Sequence, residues 1–432
     1  MNLEQAQNYI CDIQKFAKKN TLAHTKKYLE LLGNPCKNAK IIHVAGTNGK
    51  GSVCNYLRAL LQAHGYRTGM FVSPHLVDMR ERILLDGVMV SEEQFLEAFW
   101  RVKKVADSVR ENGELHHPTF FEFLFLMAML IFGEESPDYI ILETGMGGRL
   151  DATNVFEQPV LTVITEIGLD HCQYLGDTKE KIAEEKAGIV KAGIPLVYVK
   201  REKSVSEILE KTAERCGNEV FAVDKTRISD VNINDKSIDF SYKSRYYNNV
   251  SCTLPTCALY QVENAATALT AFEVLFSGNK IQCVKMQEAI QDAKWPGRME
   301  EIATDIYVDG AHNADGIKAF LDSVAIMETG RKKFLLFSAV SDKEYKDMIR
   351  QVETSGLFDT YIVATIEDER GLSGEQIEEC FAFDEGKDIY LCESVQDAYE
   401  KAVSLKGDGV LFIAGSLYLA GEVKALLKEE SK

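Results

Sequence analysis

With 432 residues, the chain is too long for one compact core and suits two or three domains at a prior of about 150 residues each. Its 66 acidic and 49 basic side chains leave a net charge of −17, and no block of Lys or Arg stands out. That balance argues against nucleic-acid or membrane partners, which need a basic footprint, and leaves anionic small molecules open if basic groups gather locally.

In chain order, Ala6 to Leu32 reads as one or two amphipathic helices with Ile10, Ile13, Phe16, Tyr28 and Leu31 facing inward. The N-terminal stretch Met1-Asn2-Leu3-Glu4-Gln5 has neither a basic n-region nor an apolar h-region, so no export signal and a cytoplasmic location are expected. Ile41 to Ala45 is a short β-branched run suited to a buried parallel strand. It leads into Gly46-Thr47-Asn48-Gly49-Lys50-Gly51-Ser52. Val53, Tyr56, Leu57, Leu60 and Leu61 then recur at helical spacing, which places the glycines at a strand-to-helix turn.

Backbone N–H groups and the positive end of a helix dipole suit a phosphate there, with Lys50 as a mobile charge and Ser52 as a magnesium-facing hydroxyl. The general pattern G-x-x-x-x-G-K-[ST] is not met, because Val44 and Gly51 stand where Gly and Ser or Thr belong. By itself the stretch also fits a glycine-rich turn of an ordinary α/β protein.

A second strand, Met70 to Val72, ends in Ser73-Pro74-His75-Leu76, and Arg80-Glu81-Arg82-Ile83 reads as a polar excursion before an Asp86-Gly87 turn. Ser91 with Gln94 forms a capping-box start for the helix carrying Phe95, Phe99, Val102 and Val105. Phe120 to Phe132 contains Glu122 and falls short of the roughly 20 residues a bilayer needs, so it reads as a buried helix. Strands at Tyr139 to Leu142 and Val160 to Thr165 end in Glu143 and in Glu166-Ile167-Gly168-Leu169-Asp170-His171.

Alternating strands and helices predict a doubly wound parallel sheet whose ligands collect at the carboxyl strand ends, where Lys50, Ser73, Glu143 and His171 all fall. Beyond the strand Leu196 to Val199, Val231 to Leu254 reads as a small antiparallel patch and Gln261 to Leu275 as a helix. Trp295-Pro296-Gly297 marks the boundary. The domains are therefore expected at 1–296, of phosphate-loop ATPase type, and at 297–432, a smaller Rossmann-like α/β unit with strands near Ile306, Phe334, Tyr361, Ile389 and Val410. Ten cysteines without a C-x-x-C pair argue for reduced thiols rather than disulfides or structural zinc.

Serine, carboxylate and imidazole at Ser73, Glu143 and His171 can ligate a divalent ion beside ATP oxygens, although Mg²⁺ prefers oxygen and His171 equally suits a structural hydrogen bond. Lys186, beside Glu184 and Glu185, reads on spacing alone as a solvated lysine. Arg298 and Asp309 suit phosphates and ribose hydroxyls, while turn formation also explains Asp309-Gly310.

Taken together, these motifs resemble the folylpolyglutamate synthase and dihydrofolate synthase branch of the Mur ligase family. The most specific are Gly46 to Ser52, Ser73 to Leu76, Glu143 to Asn154, Ile167 to His171, Glu185 to Gly188, Pro296-Gly297-Arg298 and Asp309 to Asn313. The resemblance implies an ATP-dependent, ADP-forming acid–amino-acid ligase that joins L-glutamate to a folate or a dihydropteroate. It implies ATP phosphates on Thr47, Asn48, Gly49, Lys50, Gly51 and Ser52, and nucleotide contacts at Asn264, Arg298, Asp309 and His312.

It further implies metal ligation by Ser73, Glu143, His171 and Lys186, with Lys186 as a carbamate. Thr119, Phe120, Phe121, Glu122, Leu150 and Asp151 are implied at the pterin-bearing substrate, and Lys50, His171 and Lys186 in the chemistry. One or two Mg²⁺ ions are implied, with room for a monovalent cation, in a monomer whose partners are small molecules. The stretch Leu336 to Lys343 departs from the pattern in lacking glycine near Ser338.

Two rival readings stand beside it. A Mur-type ligase on another carboxylate, such as a nucleotide-linked cell-wall precursor, needs an extra domain of roughly 50 residues, more than precede the first strand. A phosphate-loop switch module accounts for Lys50 but not for Arg298 and Asp309.

Overall fold

The computed structural model describes residues 1–13, 21–111, 115–234, 236–276, 281–327, 330–341, 345–366, 371–379 and 387–430. Phe16, Cys380, Asp342 and Lys343 lie outside them. Eight strands form the first sheet: β1 (Lys40–Ala45), β2 (Thr68–Phe71), β3 (Ile83–Leu85), β4 (Val88–Met89), β5 (Tyr139–Glu143), β6 (Leu161–Ile164), β7 (Leu196–Val199) and β8 (Val220–Val223). Their spatial order is β4-β3-β2-β5-β1-β6-β7-β8, and all pairings are parallel except those of β3. Connections leave β1 toward both sides, which makes its carboxyl end a topological switch point.

Alternation along these strands decides the packing, because successive side chains face opposite sides of a sheet. Ile42, Val44 and Ile141 pack beneath helices Lys50–Ala63, Gln261–Leu275 and Cys283–Asp292. Ile41, Ile140 and Leu142 pack on the other face against helix Phe120–Glu135. That helix is apolar nearly all round because both its neighbours and the sheet cover it, as expected of a buried helix. Among the described residues no helix is long and apolar enough to cross a membrane.

The antiparallel patch comprises β9 (Ile228–Ile233), β10 (Ile238–Tyr242) and β11 (Val250–Leu254), whose inward residues Ile238, Phe240, Tyr242, Val250, Cys252 and Leu254 join the first core. From residue 300 onward, β12 (Glu300–Ala303), β13 (Ile306–Val308), β14 (Lys333–Phe337), β15 (Thr360–Ala364), β16 (Asp388–Cys392) and β17 (Val410–Ala414) form a separate six-stranded sheet in the order β12-β13-β17-β14-β15-β16. Helices cover both its faces. The nine cysteines among the described residues are free thiols.

Three expectations change. The polar excursion is a short 3-10 helix, Met79–Arg82, that leads into the hairpin β3–β4, and its last residue Arg82 is buried: the guanidinium donates to His75 Nδ1 at 2.7 Å and lies 5.2 Å from the Phe120 ring centre. Leu31 is exposed, because the lead-in is two short helices, Leu3–Cys11 and Leu22–Leu31, of which the second buries Tyr28 and Leu29 instead. The stretch around Ser338, which lacks the expected glycine, is instead approached by Gly415 at the end of β17. With φ of +106°, its missing side chain leaves room for the Ser338 carbonyl, which a methyl group there would meet at 2.2 Å.

Helix Phe120–Glu135 should therefore be a stability determinant. Phe125→Ala is expected to cost about 3–5 kcal/mol, read as a lower urea midpoint at unchanged slope. A loss below about 1 kcal/mol would contradict the packing account.

Candidate active site

Adjacent strands β2, β5, β1 and β6 bring Ser73, Glu143, the phosphate loop and Asp170-His171 to one edge of the sheet. The loop is stitched to the segment after β6: Thr47 N–H donates to Glu166 O at 2.7 Å, Thr47 hydroxyl to Gly168 O at 3.0 Å, and Thr165 hydroxyl to Asn48 O at 2.7 Å. Gly46 cannot carry a side chain, because a methyl would stand 1.8 Å from Thr165 Oγ1. Gly49, at φ +83°, caps helix Lys50–Ala63 and lies where a methyl would strike Asn264 Oδ1 at 2.3 Å. These contacts leave the helix N-terminus open to an anion.

Lys50 Nζ donates to Thr47 O at 3.1 Å and stands 3.9 Å from Glu143 Oε1. Glu143 is buried, and its other oxygen accepts the Ser73 N–H at 3.1 Å. Burial raises its pKa, opposed by Lys50, the Ser73 N–H, Arg298 and Arg82. Lys186, far from being solvated, is only 3 % exposed, and its Nζ donates to Gly46 O at 2.6 Å. Burial and then repulsion from Lys50 push its pKa down to about 7, with Asp170 and Asp151 opposing.

His171 lies in the left-handed region at φ +52°, and its N–H donates to Asp170 Oδ1 at 2.8 Å. Asp170 in turn faces the second sheet's domain, accepting Asn313 Nδ2 at 3.3 Å and lying 3.8 Å from His312 Nε2. His312 Nδ1 is 2.7 Å from Gly310 O. Asn48 of the phosphate loop exchanges side-chain amide bonds with Asn313 at 3.0 and 3.3 Å.

The remaining nucleotide candidates line the same crevice. Asn264 donates to Gln261, whose amide donates to Ser52 Oγ at 3.1 Å, so Ser52 is buried and turned toward Gln261. Asp309 accepts from Tyr260 OH at 2.5 Å, Met299 N at 2.9 Å and Ala311 N at 2.8 Å. Burial raises the Asp309 pKa against the pull of Arg298. Arg298 Nη1 donates to Gly297 O at 2.8 Å.

Of the substrate candidates, Phe121 packs near Phe71 with ring centres 5.4 Å apart, and Leu150 is exposed. Phe120 lies under Arg82. Two others are taken up by local structure. Glu122 completes the capping box with Thr119 and accepts from Thr25, while Asp151 accepts Met146 N, Thr153 N and Thr153 OH. The Thr153 hydroxyl also meets buried His43 at 2.8 Å, and burial pushes that imidazole's pKa to about 3, so it is neutral.

Asp170, Asn313, Gln261, Tyr260 and Arg82 escape sequence reasoning. The Asn313-Ala-Asp-Gly stretch signals a helix cap, and Asn313 does cap helix Ala314–Ile326, but its partners Asn48 and Asp170 are far away in the chain.

The donors at this edge suit a hard divalent cation: the Glu143 carboxylate, the Ser73 hydroxyl, and beside them a buried Thr144 hydroxyl without a hydrogen-bond partner among the described residues. Groups of three His, Cys, Asp or Glu side chains arranged for a metal are absent among the described residues, so serine and nucleotide oxygens must complete any such site.

Comparison with known proteins converges on one family. Residues 44–272 match the Mur ligase middle domain, and residues 297–417 match the Mur ligase glutamate ligase domain. A dihydrofolate synthase/folylpolyglutamate synthase of Bacillus subtilis is 33 % identical over 98 % of this chain and 99 % of its own. The Mycobacterium tuberculosis folylpolyglutamate synthase complexed with ADP superposes with a TM-score of 0.90 at 28 % identity, covering 98 % of each chain. E. coli FolC in complex with DHPP and ADP gives 0.85 at 26 % identity, covering 100 % of this chain and 99 % of that one.

The buried lysine generates a signed prediction. Its folded pKa lies below the unfolded value, so between about pH 7 and 10.5 the unfolded chain binds more protons and stability rises with pH. In CO₂-free buffer, Lys186→Met should add about 1–4 kcal/mol at pH 7 and progressively less toward pH 10. An equal gain at both pH values in urea titrations would contradict the burial of an amine here.

Proposed function

The chain belongs to the folylpolyglutamate synthase and dihydrofolate synthase branch of the Mur ligase family, and from that premise we propose how its residues ligate L-glutamate to a folate with conversion of ATP to ADP. The same site acts on dihydropteroate. The observation that carries the reading is the placement of Lys50, Glu143 and Lys186, all buried or half-buried, beneath an interdomain crevice crossed by the Asn48–Asn313 amide pair. We take the domain boundary to lie at Trp295-Pro296-Gly297.

A carboxylate is a poor electrophile at neutral pH, so phosphoryl transfer from ATP first makes it an acyl phosphate. The loop N–H groups from Asn48 to Ser52 hold the phosphates, and Lys50 offsets charge on the transferring group. Ser73, Glu143 and His171 would hold Mg²⁺, which would supply charge neutralisation on the phosphate oxygens.

Lys186 is neutral in a large fraction of molecules near pH 7, the state whose lone pair adds to CO₂ with loss of a proton. The resulting carbamate presents anionic oxygen where an amine stood, which suits a second metal ion. Asn264, Arg298, Asp309 and His312 receive the nucleotide from the other side. Phe121, Phe120 and Leu150 offer the pterin an apolar wall, while Thr119, Glu122 and Asp151 shape that wall through their caps. The amine of glutamate attacks the acyl phosphate, and phosphate leaves. Closure of two domains excludes the water that would otherwise hydrolyse the intermediate. The enzyme acts as a cytoplasmic monomer.

Purified protein given ATP, Mg²⁺ and glutamate should release ADP only when tetrahydrofolate or dihydropteroate is also present. Lys50→Ala should lower that rate about 10²–10³-fold at an unchanged circular dichroism spectrum. Full-rate ADP release without glutamate would favour the switch-module reading and exclude a ligase.

A further inference from the structure

Helix Leu417–Glu430 carries a glycine, Gly421, in its interior, where Gly is about 1 kcal/mol less favourable than Ala. The reason lies in the other domain. A methyl at Gly421 would stand 2.3 Å from the backbone oxygen of Leu76. The Leu76 side chain joins the apolar cluster of Ile306, Val308, Leu419 and Val423, and it also fills the space beside Gly297, where a methyl would meet its Cδ1 at 3.1 Å. A residue from the first domain is thus seated in a socket of the second.

Both knob and socket are braced. Glu81 accepts the successive N–H groups of Leu76, Val77 and Asp78 at 2.7, 3.2 and 3.0 Å. On the socket side, Glu300 accepts Gly297 N–H at 2.7 Å and a 2.5 Å bond from Lys424, which shares its helix with Gly421. The other end of the short tether is Ser73, whose N–H is held by Glu143. Three residues of chain reach at most about 10 Å, so a shift of the socket is passed to Ser73 rather than absorbed.

We propose that Leu76 is a positioning residue through which the second domain sets the Ser73 hydroxyl and Glu143 for the metal. The proposal rests on the metal reading of Ser73 given above.

The test titrates Mn²⁺ into the full-length protein with a non-hydrolysable ATP analogue, following the free-ion EPR signal, alongside the Mg²⁺ dependence of ligation. Gly421→Ala and Leu76→Ala should each raise the metal midpoint about 10–100-fold. Leu76→Met should restore it to within about threefold, since its volume is conserved. The rate at saturating metal should stay within about threefold of wild type, unlike the effect of merely loosened packing.

Ser73→Ala should raise the midpoint too. If Ser73→Ala does so while Gly421→Ala and Leu76→Ala do not, the knob is overturned and the metal reading stands. If Ser73→Ala leaves the midpoint unchanged, the metal reading fails and the proposal with it. Gly421→Ala adds a helix-favouring residue, so it decides the matter if Leu76→Ala does not fold.

Discussion

Lys50, Glu143 and Lys186 bury three ionisable groups at one edge of a sheet with little to pair them. Lys50 and Glu143 are 3.9 Å apart, beyond a hydrogen bond, and Lys186 donates to the backbone carbonyl of Gly46. Burying charge without good partners is costly, and a protein bears that cost where a ligand completes the pairing. The rest of the site follows from this constraint. Parallel strands β2, β5, β1 and β6 present their carboxyl ends together, the loop glycines let the loop pack closely against Thr165 and Asn264, and the second domain lines the other side of the crevice.

The second domain does more than supply a lid. Asn313 reaches the phosphate loop through Asn48 and the segment after β6 through Asp170, while Leu76 reaches back into the second domain. The two sides of the crevice are therefore coupled at both the phosphate loop and the Ser73 turn. Movement of one domain would be felt at the residues proposed to handle the reacting phosphoryl group.

Much of this was legible in the chain. The strand β7 and helix Gln261–Leu275 were located to the residue, the first as a short continuous apolar run buried on both faces and the second as an alanine-rich stretch buried nearly all round. The glycines at 46 and 49 declared a strand-to-helix turn for the steric reason the structure displays. What sequence could not show were partners brought from afar. Arg82 looked like surface charge until His75 and Phe120 were seen to cover it, and Lys186 looked solvated until Gly46 was seen above it. Glu122 and Asp151 carry the right chemistry for a substrate contact, yet local backbone N–H groups claim their oxygens first. Nearby donors are always in reach, so capping competes with function at such positions.

The central claim is that this crevice converts a carboxylate to an acyl phosphate before the amine attacks. The most direct measurement supplies the folate substrate with ¹⁸O in its reacting carboxylate, together with ATP, Mg²⁺ and glutamate, and analyses the released phosphate by mass spectrometry. The account predicts one ¹⁸O in phosphate for each amide bond formed, since the carboxylate oxygen bonded to phosphorus leaves with it. Phosphate free of label, at a normal rate of amide formation, would contradict it.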